Sequence, residues 1–328
     1  MDFSVIIPMY NCQDSIEKTV ESIEAVQYNS MEIILVDDGS TDYTHDKCKI
    51  IADNYSNVRY YYQNNSGVSA ARNYGVQQSA GKYVLFWDSD DLADPKLLRK
   101  CLLKAIEVDV DILIFGMIFR YFYHDSIKKE EHLQCKSEIL INTNAFADNL
   151  DYLFDINYLS SACNKILKRS LCQKVCFNTS KKVFEDLLYV LEYIQYCKTV
   201  YIVPELAYIY HLDVSLKKTS RAKCVDDFNE YMFDFQNAVI KIEMTLNTKL
   251  FELRNRISLV YEWILSSKLE ASSFSELKEL NTNKMAVFLF GEKYIVKSKK
   301  NKLFFDHRFA ELKLLCIYHT IRKRLELW

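Results

Sequence analysis

Three carboxylates, Asp88, Asp90 and Asp91, follow directly on residues that favour burial in the stretch YVLFWDSDD, residues 83–91. Like charges this close repel and raise one another's pKa. A chain that needed only a turn would not concentrate acid there, so the cluster calls for something positive opposite it. A second acidic pair, Asp37 and Asp38, ends the apolar run MEIILVDD, residues 31–38. A third, Glu185 and Asp186, stands ahead of an apolar helical pattern at Leu187, Leu188, Leu191 and Ile194. Acids at that place complement a helix dipole. Arg72, in SAARN, carries a rigid fork of donors that suits a phosphate or an acidic neighbour.

The elements around these residues alternate regularly. FSVIIP (3–8), MEIILVDD (31–38), VRYYYQ (58–63) and KYVLFW (82–87) have the length and apolar character of buried strands. Between them lie helical stretches. The first opens at Asp14–Glu17, which has the form of a capping box, with Ile16, Val20 and Ile23 on one face. A polar stretch runs to about residue 56, and a third helix is expected at 66–80. DPKLLRKCLLKAIE (94–107) reads as a helix with Pro95 in its first turn. This order predicts an α/β fold, a mostly parallel sheet covered by helices on both faces. In such sheets ligands sit beyond the carboxyl ends of the strands, and there the acidic pairs fall. ILIFGMIF (112–119) is too short to cross a membrane and is expected as a buried strand. Residues 143–196 read as mainly helical, and TVYIV and LAYIYHL as two short strands about Pro204. Beyond about residue 215 the chain turns helix-rich and Lys/Glu-rich, with VFLF (287–290) as its strand candidate.

Composition sets the outer bounds. A chain of 328 residues, 49% hydrophobic, has ample material for one large domain with an extension. A formal net charge of -2 gives no basic field for nucleic acid. Ten cysteines without a Cys-x-x-Cys pair read as buried, reduced thiols of a cytoplasmic protein. The stretch MDFSVIIPMYN lacks the features of a signal peptide.

Four motifs line up in order: VIIPMYN (5–11), VDDGSTD (36–42), NSGVSAARNYG (65–75) and WDSDD (87–91). Together they resemble the inverting family 2 glycosyltransferases of the GT-A fold. The resemblance is strong over about residues 3–120 and continues through NKILKRSL (164–171), FEDLLYVLEY (184–193) and YIYHLDVS (208–215). It implies a GT-A catalytic domain at 1–215, with a nucleotide-sugar half to about 120 and an acceptor half after it. A helix-rich extension would occupy 216–328.

The resemblance also assigns roles. Pro8, Met9 and Tyr10 would wall a base pocket, and Asp38 would accept from a base N–H of a UDP-sugar. Asn65 and Gly67 would let backbone approach the donor, with Arg72, Asp88 and Ser89 beside it. A diphosphate in a carboxylate-lined site implies a divalent cation, manganese or magnesium. Asp90 matches the family's metal ligand, Asp88 the residue at the ribose or the metal's outer shell, and His211 a ligand that completes the site. Asp91 would orient the segment that follows. Inversion needs a general base. The resemblance gives that role to Asp186, with Glu185 as runner-up. Lys217, Lys218 and Arg221 would clamp the departing diphosphate or form a solvated basic run. Asn164 and Lys165 match an acceptor-side pair, although Cys163 stands where relatives often have Trp.

Two other functions compete. An oxidoreductase would need a Gly-rich first turn, and PMYNCQDS has none. A degenerate, non-catalytic sugar-nucleotide binder would have lost acids, and every expected acid is present. The acceptor is expected to be a glycan or a lipid-linked sugar. Residues 291–328 contain ten Lys/Arg against four Asp/Glu. Phe305, Phe309, Leu312 and Cys316 approximate one apolar helical face there. This suits a peripheral place on the inner face of the cell membrane. An amphipathic helix packed on the catalytic domain, or on a second subunit in a homodimer, would look the same.

Overall fold

A computed structural model describes residues 1–213, apart from 124–125, 143–148, 150–152, 154–157 and 182–183, and scattered positions between 234 and 244. The chain divides into two compact units, Met1–Lys217 and Lys218–Trp328. The fold that follows is that of the first. The candidate clamp Lys217, Lys218 and Arg221, the strand candidate at 287–290 and the basic tail all lie outside the described residues.

The sheet begins as the apolar runs predict. Strands β1 (Phe3–Met9), β2 (Met31–Asp37), β3 (Val58–Tyr62) and β4 (Tyr83–Phe86) pair in parallel in the order β3-β2-β1-β4. Every residue of β1, β2 and β4 is buried, as both faces of the sheet are covered. Phe3, Val5, Ile7 and Met9 join one core with Ile16, Val20 and Ile23 of helix α1 (Ile16–Glu24), Cys48 of α2 (Thr44–Asn54) and Leu98 and Leu102 of α4 (Pro95–Val108). The alternate residue Ile6 meets α3 (Val68–Gln78) on the other face. A Cβ on Gly75 would lie 2.3 Å from Ile6 Cγ2, so this glycine sets how closely α3 approaches.

The second half is mixed. Beyond β4 the order continues with β9 (Lys165–Lys168), β6 (Ile112–Tyr123), β10 (Thr199–Asp213) and β5 (Leu92–Ala93). β9 runs antiparallel to both β4 and β6, so β6 and β10 point the same way as β4. Strands β7 (Ser126–Leu133) and β8 (Ile139–Asn142) add to β6 and β10. The carboxyl ends of β1, β2, β4, β6 and β10 therefore share one edge. Helices α5 (Arg169–Cys172) and α6 (Glu185–Ile194) complete the described elements.

Three local expectations are corrected. The capping box of α1 does not form: Ser15 makes no side-chain cap and donates instead to the Cys12 carbonyl at 3.3 Å. Among the described residues of 143–196 helix is not the main content, since β9 lies at the centre of the sheet. Four residues are too few for a periodicity to show. Residues 199–213 form one strand, with register shifts between Ile202 and Leu206 and between Leu206 and Tyr208. Pro204, which has no N–H to give a ladder, is taken up there as a bulge. By contrast Asp94 caps α4 as expected, accepting from Leu97 N at 2.9 Å ahead of Pro95.

Candidate active site

The acid after β2 is built into its own neighbourhood. Asp38 is buried, and its carboxylate accepts from Gln63 Nε2 at 2.7 Å, Ser66 N at 2.8 Å and Gly67 N at 2.7 Å. It holds the loop that enters α3. Gly67 caps that helix at φ 89° and ψ 158°, a backbone region essentially reserved for glycine. Gly39, at φ 78°, lets the turn after Asp38 meet that loop, because a Cβ there would lie 2.7 Å from Asn65 N. Asp37 accepts from Ser40 N at 2.8 Å and from the Tyr60 hydroxyl at 2.8 Å. Asn11, the last residue of VIIPMYN, accepts from Thr41 N at 2.8 Å and donates from its own N–H to Ser40 Oγ at 3.0 Å. Thus the ends of β1 and β2 and the start of α3 form one hydrogen-bonded shelf. Pro8 and Met9 are buried beneath it, and the Tyr10 ring is exposed.

The acidic turn after β4 is braced from two elements. Thr19 of α1 donates to Ser89 O at 3.0 Å, and the Tyr208 hydroxyl of β10 accepts from Asp88 N at 3.2 Å. The three acids have different fates. Asp90 is exposed and Asp88 half-buried, while Asp91 is withdrawn into the core. There Asp91 accepts from the Tyr208 hydroxyl at 2.6 Å and from His211 N at 2.8 Å. Burial, with Asp88 and Asp90 alongside, pushes its pKa up to about 8. Asp91 ties β10 to the turn. Tyr208, which also packs its ring on Trp87 at 4.4 Å, escaped sequence reasoning. Its signal was a tyrosine within an apolar strand, indistinguishable from core.

The positive group opposite the acids is Arg72. Its guanidinium is buried on α3 and reaches Asp88 Oδ1 at 3.1 Å, Asp186 Oδ1 at 2.6 Å and Glu185 Oε1 at 3.6 Å. The Phe177 ring lies 5.2 Å from its Cζ. Burial opposes its charge, but Asp186 and Asp88 outweigh that and raise its pKa above the ordinary arginine value. One side chain thus joins the acid of β4 to the acids of α6. The neighbouring Asn73 fixes Phe177 by a reciprocal pair, Nδ2 donating to Phe177 O at 2.9 Å and Oδ1 accepting from Phe177 N at 2.8 Å. Phe184, at φ 60°, turns the chain into α6 so that Glu185 and Asp186 occupy its first turn.

Asp186 has a second anchor, since its Oδ2 accepts from Ala162 N at 3.1 Å. The pair expected on the acceptor side lies beneath that loop and is buried. Asn164 donates to Phe115 O at 2.8 Å, and Lys165 donates to Tyr158 O and Asn164 Oδ1, each at 2.7 Å, and to Ser161 O. Their polar atoms face the protein, so they shape the loop and do not line an open surface. Cys163, also buried, fills space in that core.

Asp88, Asp90 and His211 are not brought together as the three-ligand set expected of them. Among the described residues no three His, Cys, Asp or Glu side chains form a metal cluster. The His211 ring stacks on Phe122 at 5.0 Å, and its buried Nδ1 has no hydrogen-bond partner. Burial, with Arg120 and Lys18 nearby, lowers its pKa and favours the neutral imidazole. The eight described cysteines are free thiols, and all but Cys176 are buried. No described helix is long and apolar enough to cross a membrane.

Comparison with known proteins gives this arrangement a family context. The family model described as glycosyl transferase family 2 matches residues 4–176. An uncharacterized glycosyltransferase, YibD of Escherichia coli (strain K12), is 41% identical over 109 residues, which is 33% of this chain and 32% of that protein. Glycosyltransferase GlyA of Streptococcus pneumoniae serotype 4 is 29% identical over 214 residues, 64% of this chain and 30% of that protein. The chain spans about a third of the length of these two relatives. The crystal structure of S. aureus TarS 1-349 in complex with UDP-GlcNAc matches with a TM-score of 0.66 and 18% identity, covering 100% of this chain and 92% of that one. At that identity the likeness speaks for the fold, which is GT-A.

Proposed function

The chain belongs to glycosyl transferase family 2, and we propose that it moves a sugar, with inversion, from a UDP-sugar to a hydroxyl of a glycan or lipid-linked acceptor. The observation that carries this reading is the convergence on Arg72. Asp88, on the donor side, and Asp186, 114 residues away from Arg72 in the chain, meet on one guanidinium at the carboxyl edge of the sheet. A donor lying over the acidic turn would have its reacting carbon beside a carboxylate that can take the acceptor's proton.

In this reading the shelf of Tyr10, Asp38 and the Asn65–Gly67 loop receives the nucleotide. Asp38 Oδ2, with Gly67 N as its donor, keeps capacity for a base N–H. Ser89 and Asp88 lie on the ribose side. Asp186 acts as general base, held by Arg72 and the Ala162 amide, and Glu185 is the alternative. Asp88 and Asp90 are hard oxygen donors that fit manganese or magnesium. A cation held there would neutralise charge on the departing diphosphate. UDP-GlcNAc, the ligand in the TarS complex, is the first donor to try. The basic tail remains proposed as a membrane-docking segment, tested by flotation with anionic liposomes. Equal flotation of the full chain and a chain ending near residue 301 would remove that role.

A thermal-shift panel of nucleotide sugars, with and without manganese, tests the core of the proposal. One UDP-sugar should raise Tm most with manganese present and should then be hydrolysed or transferred. Indifference to every nucleotide sugar overturns the reading. Binding without turnover supports the non-catalytic alternative.

A further inference from the structure

Lys165 opens β9 with its side chain wholly buried. Its ammonium donates to Tyr158 O and Asn164 Oδ1, each at 2.7 Å, and to Ser161 O. Three neutral oxygens therefore take up the three protons of one ammonium. A buried charge with neutral partners is costly. Burial pulls its pKa down to about 7, against Asp186 and Cys163, which raise it. A methionine or leucine would fill the same space without that cost and without gathering the three oxygens.

What it organises is the segment 158–164. Two of the three oxygens are backbone carbonyls of this segment. The third belongs to Asn164, which is pinned to β6 by Nδ2 donating to Phe115 O at 2.8 Å and by its own carbonyl accepting from Phe115 N at 3.1 Å. The curled segment turns one amide outward, and Ala162 N donates to Asp186 Oδ2 at 3.1 Å. Arg72 holds the other oxygen of that carboxylate at 2.6 Å. The Asp186 carboxylate is thus fixed at two points.

We propose that Lys165 is a positioning residue for Asp186, gathering the carbonyls of Tyr158 and Ser161 so that the Ala162 amide sets the angle of that carboxylate. It touches neither donor nor acceptor. The inference rests on the proposed base role of Asp186. It also has a pH consequence. A neutral amine has two protons for three acceptors, so the cage loosens as Lys165 deprotonates above about pH 7. The titratable groups acting on it are Asp186, from α6, and Cys163, from its own segment, while β6 sets Ile114 beside it. Turnover, and not donor affinity, should fall as that proton leaves.

The test uses the full chain, manganese-dependent hydrolysis of UDP-GlcNAc (or of the UDP-sugar the panel selects) and calorimetric UDP affinity. Lys165→Met should slow hydrolysis about 10- to 100-fold, the scale of a small misplacement of a reacting group. UDP affinity should stay near wild type, and the alkaline fall in rate above about pH 7 should vanish from the variant's profile. An unchanged rate, or rate and UDP affinity falling together, overturns the proposal. Should the variant not fold, Lys165→Gln, which keeps a donor toward the same carbonyls, carries the test: a slower rate at unchanged UDP affinity supports the proposal, and an unchanged rate overturns it. Asp186→Asn separates the two levels. Hydrolysis indifferent to Asp186→Asn fails the proposed function, whereas hydrolysis that needs Asp186 and ignores Lys165→Met fails this inference alone.

Discussion

The shelf proposed for the donor and the segment proposed to carry the base hold their acids in opposite ways. Asp38 is held by Gln63, Ser66 and Gly67, two of them backbone donors of a loop within 29 residues. Among the described residues no buried cation takes part. Asp186 is held by Arg72, 114 residues away, and by the Ala162 amide. The first arrangement is made by backbone geometry and two glycines at positive φ. The second is made by charges taken out of water, each costly alone and tolerable only in company. Damage to the shelf should therefore appear in donor binding. Damage to the base-bearing segment should appear in turnover and stability.

The largest effects should come from exchanging acid for amide in the acidic turn after β4 and at the start of α6. Asp90→Asn is expected to abolish transfer together with manganese-dependent UDP binding, since shape is kept and charge is lost. Asp186→Asn should leave donor affinity near wild type and lower turnover by about 10² to 10⁴, the usual scale of a general base. Calorimetry with UDP beside hydrolysis rates reads both. If Glu185→Gln produces the turnover loss and Asp186→Asn does not, the two acids exchange roles. If Asp186→Asn weakens UDP binding as much as turnover, the division between the two regions collapses.

Arg72→Met tests the joint itself. It strands Asp88 and Asp186 beside Phe177 without their shared partner. Removing one member of a buried ionic group costs about 3 kcal/mol or more. Partial exposure of both acids places the expectation at the low end, and urea unfolding measures it. Stability unchanged from wild type would mean that water replaces the guanidinium freely, and that the two regions are not coupled through it.

The smallest effect is expected at Gly67. Its Cβ position is open space, so Gly67→Ala adds no clash. It forces alanine into backbone of φ 89° and ψ 158°, which costs about 1–3 kcal/mol. The strain should be relieved by moving the loop that Asp38 holds. UDP affinity should drop severalfold while the hydrolysis rate of bound donor stays constant. A variant that binds UDP as wild type but turns over slowly would reverse the comparison.

Legibility followed the same division. The strands β1 to β4 announce themselves as apolar runs because both faces are buried, and their acids sit next to them in sequence. Asp94 and Pro95 marked the start of α4 for a local reason, a side chain satisfying an amide three residues on. β9 is hidden within a stretch of helical pattern, since KILK is short and carries a lysine at each end. Asn164 and Lys165 match a pair on the acceptor side, and their polar atoms are bound by protein oxygens. A lysine in sequence gives no sign that carbonyls from its own loop will surround it. Tyr208, a brace of the acidic turn, looked like any aromatic in an apolar strand.

By itself, the sequence determined the parallel half of the sheet, the family and the edge where the acids gather. All of these depend on hydrophobic pattern and on residues close together along the chain. Only the tertiary structure decided which cation answers the acids, that Asp91 turns into the core while Asp88 does not, and that Asp186 leans on the Ala162 amide. Those outcomes depend on which segments, far apart in the chain, are desolvated together. Charge interactions strengthen severalfold as the local dielectric falls. Burial, which no linear pattern records for a polar side chain, therefore chose the partners.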